Sequence, residues 1–280
     1  MNPLKTTLDS VAQNIISGVE ISTGFPQLDD MSLGFKRGEL TLIAGRPSIG
    51  KTAMVVDMSL FTAQKFNTGI FSLEMGKQQL IERMITNKQE VCYTDLKKGL
   101  VEVKKETTDL LATLLLWIDD RTGLTPVNIW ETLKETHINF DVVFIDYLQL
   151  VRPATMKRQR YEELDRITEN IREIAKQMNI AMVVSAQLNR GVDNRENHEP
   201  RLSDLRETGG IEQTCDKIIL LHRPAYYNIY EQSNKDAVDD GEAYLILAKN
   251  RNGPTGRIPC VWLGGQMSFK SPNFKLESEF

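Results

Sequence analysis

Residues 39–52, "ELTLIAGRPSIGKT", join a continuous apolar run to a loop bounded by glycines, and a helical pattern follows. A strand that enters a G-x-x-x-x-G-K-[ST] loop and leaves as a helix admits few folds. The run shows no polar alternation, so both its faces need cover, which calls for a parallel sheet between helical layers. The chain then repeats this pattern. "GIFSLEM" (69–75) leads into "KQQLIERMITNKQ" (77–89), and "LLLWIDD" (114–120) into "TPVNIWETLKET" (125–136). "DVVFIDYLQL" (141–150) precedes a long helix with Leu164, Ile167, Ile171, Ile174 and Met178 on one face, followed by "IAMVVSAQ" (180–187) and "CDKIILLH" (215–222). Strands alternating with amphipathic helices make this an α/β chain. "EAYLILAKN" (242–250) and "GRIPCVWL" (256–263), joined by the turn-like "RNGPTG", read as a hairpin at the sheet edge.

Composition narrows the function classes. The 34 basic residues are outnumbered by 38 acidic ones, so nucleic-acid binding would have to come from local patches. Cys92, Cys215 and Cys260 are far apart and form no CxxC, and His137, His198 and His222 are equally scattered. Neither set has the spacing of a zinc site, and isolated cysteines suit a reducing cytoplasm. The longest apolar run, at 110–118, is too short to span a bilayer, and no signal peptide is visible. Leu4, Leu8, Val11 and Ile15 at helical spacing, with Gly18 as a stop, predict a short amphipathic arm. It folds back on its own core or docks on another copy. The division read from this is an arm at 1–18 and a single domain at 19–280.

The loop itself specifies chemistry. Gly45 and Gly50 let the backbone turn tightly enough for the N–H groups of Arg46, Ser48, Ile49 and the helix start to surround a phosphate, with Pro47 in the same loop. (Proline contributes no donor, only its fixed geometry.) Lys51 would reach the β and γ phosphates of a nucleotide, and Thr52 would hold Mg²⁺. Asp146 ends an apolar strand, where a carboxylate faces the ligand crevice of a parallel sheet and can orient the metal. Glu74, read as closing the next strand, is the candidate to orient and deprotonate an attacking water. Its plain alternative is an acid at a helix start. Gln187 ends another strand, and its neutral amide suits a γ-phosphate sensor, although strand-end glutamines are common. Lys249 and Arg251 stand two apart at the end of a strand, so both should face one anion, yet no carboxylate follows them closely. Taken alone, they read as a solvated pair at a turn.

"GRPSIGKT", "FSLEM", "FIDYLQL", "SAQLNR", "LSDLRETGGIEQTCDKIILLHRP" and "AKNRNGPTG" occur in this order. The set resembles the ATPase domain of bacterial and phage replicative DNA helicases of the DnaB family, over most of residues 20–265. The resemblance implies a RecA-like fold, ATP with Mg²⁺ as cofactors, and a homohexameric ring around single-stranded DNA. It also implies that Arg251 is an arginine finger and Lys249 its companion, both meeting the γ-phosphate held by the next subunit's Lys51. Two loops would line the channel: Arg152, Lys157, Arg158 and Arg160 in the first, and Arg206, Glu207 and Gly209 in the second. Such loops bind phosphates without reading bases. Gln187, between the catalytic edge of the sheet and the second loop, would couple loss of the γ-phosphate to a shift of Arg206 and its neighbours, and so to DNA movement. Primase and a helicase loader join the candidate partners, in the cytoplasm of a bacterium or a phage-infected host.

The family carries an N-terminal primase-interacting domain, whereas this chain begins almost at the linker helix. It is therefore expected to be either a fragment or a short relative, with its arm docking on a neighbour. Two other readings start from the same loop. A RecA-like recombinase would use the nucleotide to gate a DNA filament, and a P-loop kinase would need a lid and an acceptor pocket. The "AKNRNGPTG" block favours the helicase.

Overall fold

The computed structural model describes residues 20–153, 160–193, 195–205, 209–231 and 241–272. The arm at 4–16, and Lys157, Arg158, Arg206 and Glu207, lie outside them. Among the described residues, nine strands form one sheet: β1 (Leu40–Gly45), β2 (Thr68–Ser72), β3 (Leu116–Asp119), β4 (Val142–Asp146), β5 (Ala181–Gln187), β6 (Lys217–His222), β7 (Glu242–Asn250), β8 (Gly256–Leu263) and β9 (Ser268–Lys270). Their order is β3-β2-β4-β5-β1-β6-β7-β8-β9, parallel from β3 to β6 and antiparallel from there to β9.

Every residue of β1, β2, β4 and β6 is buried, on both faces of the pleat. That is the physical reason their sequences are apolar without alternation. The helices that supply the cover are α1 (Pro26–Ser32), α2 (Lys51–Thr62), α3 (Lys77–Gln89), α4 (Tyr93–Lys97), α5 (Lys105–Ala112), α6 (Pro126–Glu135), α7 (Arg160–Met178), α8 (Gly209–Thr214) and α9 (Pro224–Glu231). The helix α2 is apolar nearly all round, burying Ala53, Met54, Val55, Val56 and Met58, as expected of a helix enclosed by the core. The longer α7 buries one stripe, Leu164, Ile167, Ile171 and Ile174, and leaves its other side to charge. Thr125 caps α6 in a capping box with Asn128. No helix among the described residues is long and apolar enough to cross a membrane.

The parallel register aligns the strand ends that matter. Gly45 pairs with Gln187, and Ser72 with Asp146, so four segments arrive at one edge of the sheet together. Two expectations need correction. Strand β2 stops at Ser72, and Glu74 sits in the bend that follows. The terminal hairpin is a three-strand meander, in which β9 and not β8 forms the edge. Strand β7 has the bounds read from the sequence, 242–250, with Arg251 in the turn after it.

Candidate functional site

The cradle is built by a turn with two left-handed residues. Ser48 and Gly50 both have positive φ, at 60° and 113°. A Cβ on Gly50 would lie 2.7 Å from the Phe269 ring, and one on Gly45 would lie 2.6 Å from Ile49 Cγ2. No larger residue fits at either glycine. Gly50 is also the N-cap of α2, and no side chain caps that helix end. The N–H groups of its first turn therefore point into the cleft, with the positive end of the helix behind them.

Lys51 Nζ meanwhile donates to the loop's own carbonyls, Gly45 O at 3.2 Å and Arg46 O at 2.9 Å. Burial holds its ammonium down at about 8, against the opposing pull of Asp146 and Glu74. An ammonium that is desolvated and lacks a carboxylate in direct contact is suited to receive a polyanion. Arg46 behaves differently from its neighbours. Its guanidinium forks onto Asp193, at 2.9 and 2.5 Å, and reaches Leu188 O at 2.9 Å. It braces the loop against the segment after β5, leaving its backbone for the cradle. Tyr226 and Arg223, at the start of α9, support the loop from the same region: Tyr226 Oη donates to Pro47 O at 2.9 Å, and Arg223 to Ile49 O at 3.3 Å.

Asp146 is buried at the end of β4. It accepts from Thr52 Oγ1 at 2.7 Å and from Ser185 Oγ at 2.5 Å. A hydroxyl and a carboxylate this close, beside an anion cradle, form the hard oxygen pair that Mg²⁺ takes alongside phosphate oxygens. The donor set thus fits the metal, and the cradle fits a triphosphate. Glu74 is exposed and lines a cleft of about 490 Å³ together with Tyr93, Tyr147, Gln187, Trp262 and Met267. The sequence reading missed Ser185, Tyr93, Trp262 and Met267. An apolar strand carrying one serine, "VVSAQ", was the available signal for Ser185. The others come from distant elements.

Gln187 is exposed at the end of β5, and its backbone is held on both sides by one side chain. Its N–H donates to Gln149 Oε1 at 3.2 Å, while Gln149 Nε2 donates to its carbonyl at 3.1 Å. Arg160, at the start of α7, donates to Gln149 O at 2.7 Å. Thus the cleft, Gln187 and one cation of the first basic loop are linked by three hydrogen bonds. Arg152 is exposed and packs on Gly123.

Lys249 and Arg251 lie elsewhere. Lys249 Nζ donates to Glu212 O at 2.6 Å and Cys215 O at 2.7 Å, at the C-terminal end of α8. Arg251 reaches Asp216 at 2.9 Å and Gln213 O at 2.5 Å. The two cations do converge, and their anion within the protomer is Asp216 together with the negative end of a helix. Asp216 in turn accepts from Leu40 N, the first residue of β1, at 3.0 Å. Gly45 is the last residue of that strand. The six-residue length of β1, roughly 20 Å, therefore separates Arg251 from its own cradle. Gly209 opens α8, whose start packs closely against Asp165 at Gly210.

Comparison with known proteins bears on this arrangement. Residues 20–271 match the family model described as the DnaB-like helicase C terminal domain. The replicative DNA helicase DnaB of Rickettsia felis is 34% identical over 275 residues, covering 87% of this chain and 56% of that protein. A probable replicative DNA helicase of Trieres chinensis is 38% identical over 250 residues, covering 85% and 54%. The chain thus spans a little over half the length of the curated relatives it matches. Among solved structures, an isolated ATPase domain superposes with a TM-score of 0.87 at 28% identity, covering 97% of this chain and 99% of that one. A DnaB-like replicative helicase, solved for its interactions with primase, gives 0.84 at 29% identity over 94% of this chain and 67% of that one. The chain belongs to the family of DnaB-like helicase C-terminal domains.

Proposed function

We propose that this chain is the motor of a replicative DNA helicase, hydrolysing ATP at the interfaces of a ring hexamer that moves along single-stranded DNA. The observation that carries the reading is the placement of Lys249 and Arg251 at the far end of β1 from the cradle. No rearrangement of side chains brings them to the protomer's own Lys51, whereas a neighbouring copy can present them.

In this reading the amides at the start of α2 and Lys51 bind the β and γ phosphates, and Thr52 with Asp146 would hold Mg²⁺. Bound there, the metal would neutralise charge on the phosphate oxygens. Glu74 orients the water and takes its proton. The neighbour's Arg251 stabilises charge spreading over the transferring phosphoryl group, which is worth about 10³–10⁵ in rate. Gln187 senses the γ-phosphate, and Gln149 passes its displacement to Arg160. Arg152, Lys157, Arg158, Arg160 and the Arg206–Gly209 segment contact DNA phosphates. Single-stranded DNA and identical copies are the partners, with primase and a loader added by family likeness, all in the cytoplasm.

The test is a mixture of two inactive chains. Lys51→Ala and Arg251→Ala should each lose ATPase activity, and mixing them should restore part of it at interfaces with an intact Arg251 facing an intact Lys51. Mixtures as inactive as either parent would contradict shared sites.

A further inference from the structure

The element that presses on the cradle from behind is β9. Its Phe269 ring lies against Gly50, where even a Cβ would come within 2.7 Å, and against Trp262 at 4.7 Å between ring centres. Trp262 and Met267 then form a wall of the cleft. Three residues of strand are too few to hold such a position by ladder bonds alone. What holds β9 is a carboxylate on the cradle's own helix. Asp57, two turns into α2 and partly buried, accepts from Phe269 N at 2.6 Å and from Ser268 Oγ at 2.9 Å. Asn87 of α3 donates to the same carboxylate and, at 2.9 Å, to Ser268 Oγ.

We infer that Asp57 is a positioning residue for the nucleotide site, seating β9 so that Phe269 backs Gly50 and Trp262 closes the cleft wall. The inference rests on the proposed binding of nucleotide at the cradle. All three groups facing Asp57 donate, so the ionised carboxylate matches them and a neutral group of the same shape does not. The charged groups around it are Lys88 on α3 and Lys270 on β9; the thiol of Cys260 on β8 is pushed up to about 12 by burial. Burial outweighs these donors and lifts the Asp57 carboxyl to about 7. A carboxyl whose folded value lies above its unfolded value of 3.8 costs the fold stability as pH rises from that value through about 7. The ionised form that seats β9 is therefore gained at the expense of stability, and binding and stability should respond to Asp57 in opposite directions.

The experiment titrates a fluorescent ATP analogue against the full chain between pH 5.5 and 8. Relative to Asp57→Asn, which shares the loss of the Lys51 ammonium near 8, wild type should gain affinity as pH rises through about 7. Asp57→Asn should bind about tenfold more weakly at pH 7.5, the worth of one hydrogen bond to a charged group, and should lack the Asp57-dependent part of that rise. Its KM for ATP should rise with kcat within about twofold, and its Tm should not fall, since a buried charge has been removed. Wild-type affinity and pH profile in Asp57→Asn would overturn the inference, as would a joint fall of affinity, kcat and Tm. Ser268→Ala keeps the charge and removes one donor, so it should move the rise in affinity to higher pH. An unmoved rise there would also overturn it, even if Asp57→Asn failed to fold. Failure of wild type to bind the analogue at any pH would remove the nucleotide reading itself and this inference with it.

Discussion

Glu74 and Asp146 show how position within a few residues separates two carboxylates. Asp146 is buried, fixed by Thr52 and Ser185, and has no freedom to follow a moving proton. Glu74 stands beyond the end of β2, exposed at the cleft, where a water can reach it. The first therefore suits the metal and the second suits the base. Glu74→Gln should leave affinity for ATP within about twofold and lower turnover by about 10²–10⁴. Equilibrium binding and steady-state hydrolysis, measured on the same preparation, check this; undiminished turnover removes Glu74 from the reaction. Residue by residue, the P-loop and the place of Asp146 were legible because they sit where an apolar strand stops, whereas Glu74 was read as closing a strand that ends at Ser72. Ser185 was less legible, since its role depends on which strand lies beside β4.

At the scale of elements, α8 is the piece that joins two proposed sites. Its start packs on Asp165 of α7, and its last carbonyls hold Lys249 and Arg251. Contact with α7 is close: a Cβ on Gly210 would lie 2.5 Å from Asp165 Cγ. Gly210→Ala should therefore push α8 away from α7, destabilising the protein by about 1–3 kcal/mol. Urea denaturation measures that loss. DNA-stimulated hydrolysis should fall with it while affinity for ATP stays unchanged, because the cradle is at the opposite edge of the sheet. A drop in ATP affinity equal to the drop in stimulation would show that α8 is not the linking piece. Helix α3 was read from the sequence with its observed bounds, 77–89, since an amphipathic period is local information. Strand β9 was not, because three residues carry no period, and its place is decided by pairing with β8 and by Asp57.

For the whole molecule, the sheet works as a spacer with a cradle at one edge and a cation pair at the other. Such a protomer is chemically incomplete by construction under the proposed function. Specific ATPase activity should then fall steeply on dilution, with the loss tracking dissociation seen by light scattering; activity per chain that is independent of concentration would contradict shared sites. Under the proposed function, the net charge of −4 requires DNA to be met by local clusters, not by overall attraction. Affinity for single-stranded DNA should fall with rising salt in proportion to the phosphates contacted, about 0.7 log units per contact per tenfold salt. A flat salt dependence would remove the basic loops from the interface.

The fold class and the cradle were written in the chain itself. Continuous apolar runs, helical periods and a glycine-bounded loop are short-range patterns, and they dictate strand, loop and helix wherever they occur. The partners of side chains were decided by the tertiary structure. Lys249 and Arg251 meet Asp216 and the end of α8, Arg46 meets Asp193, and Asp57 meets β9, each across 30 or more residues of sequence. A charge on one segment does not encode which distant segment the sheet will lay beside it. That assignment comes from strand order, which is settled by burying every apolar face at once.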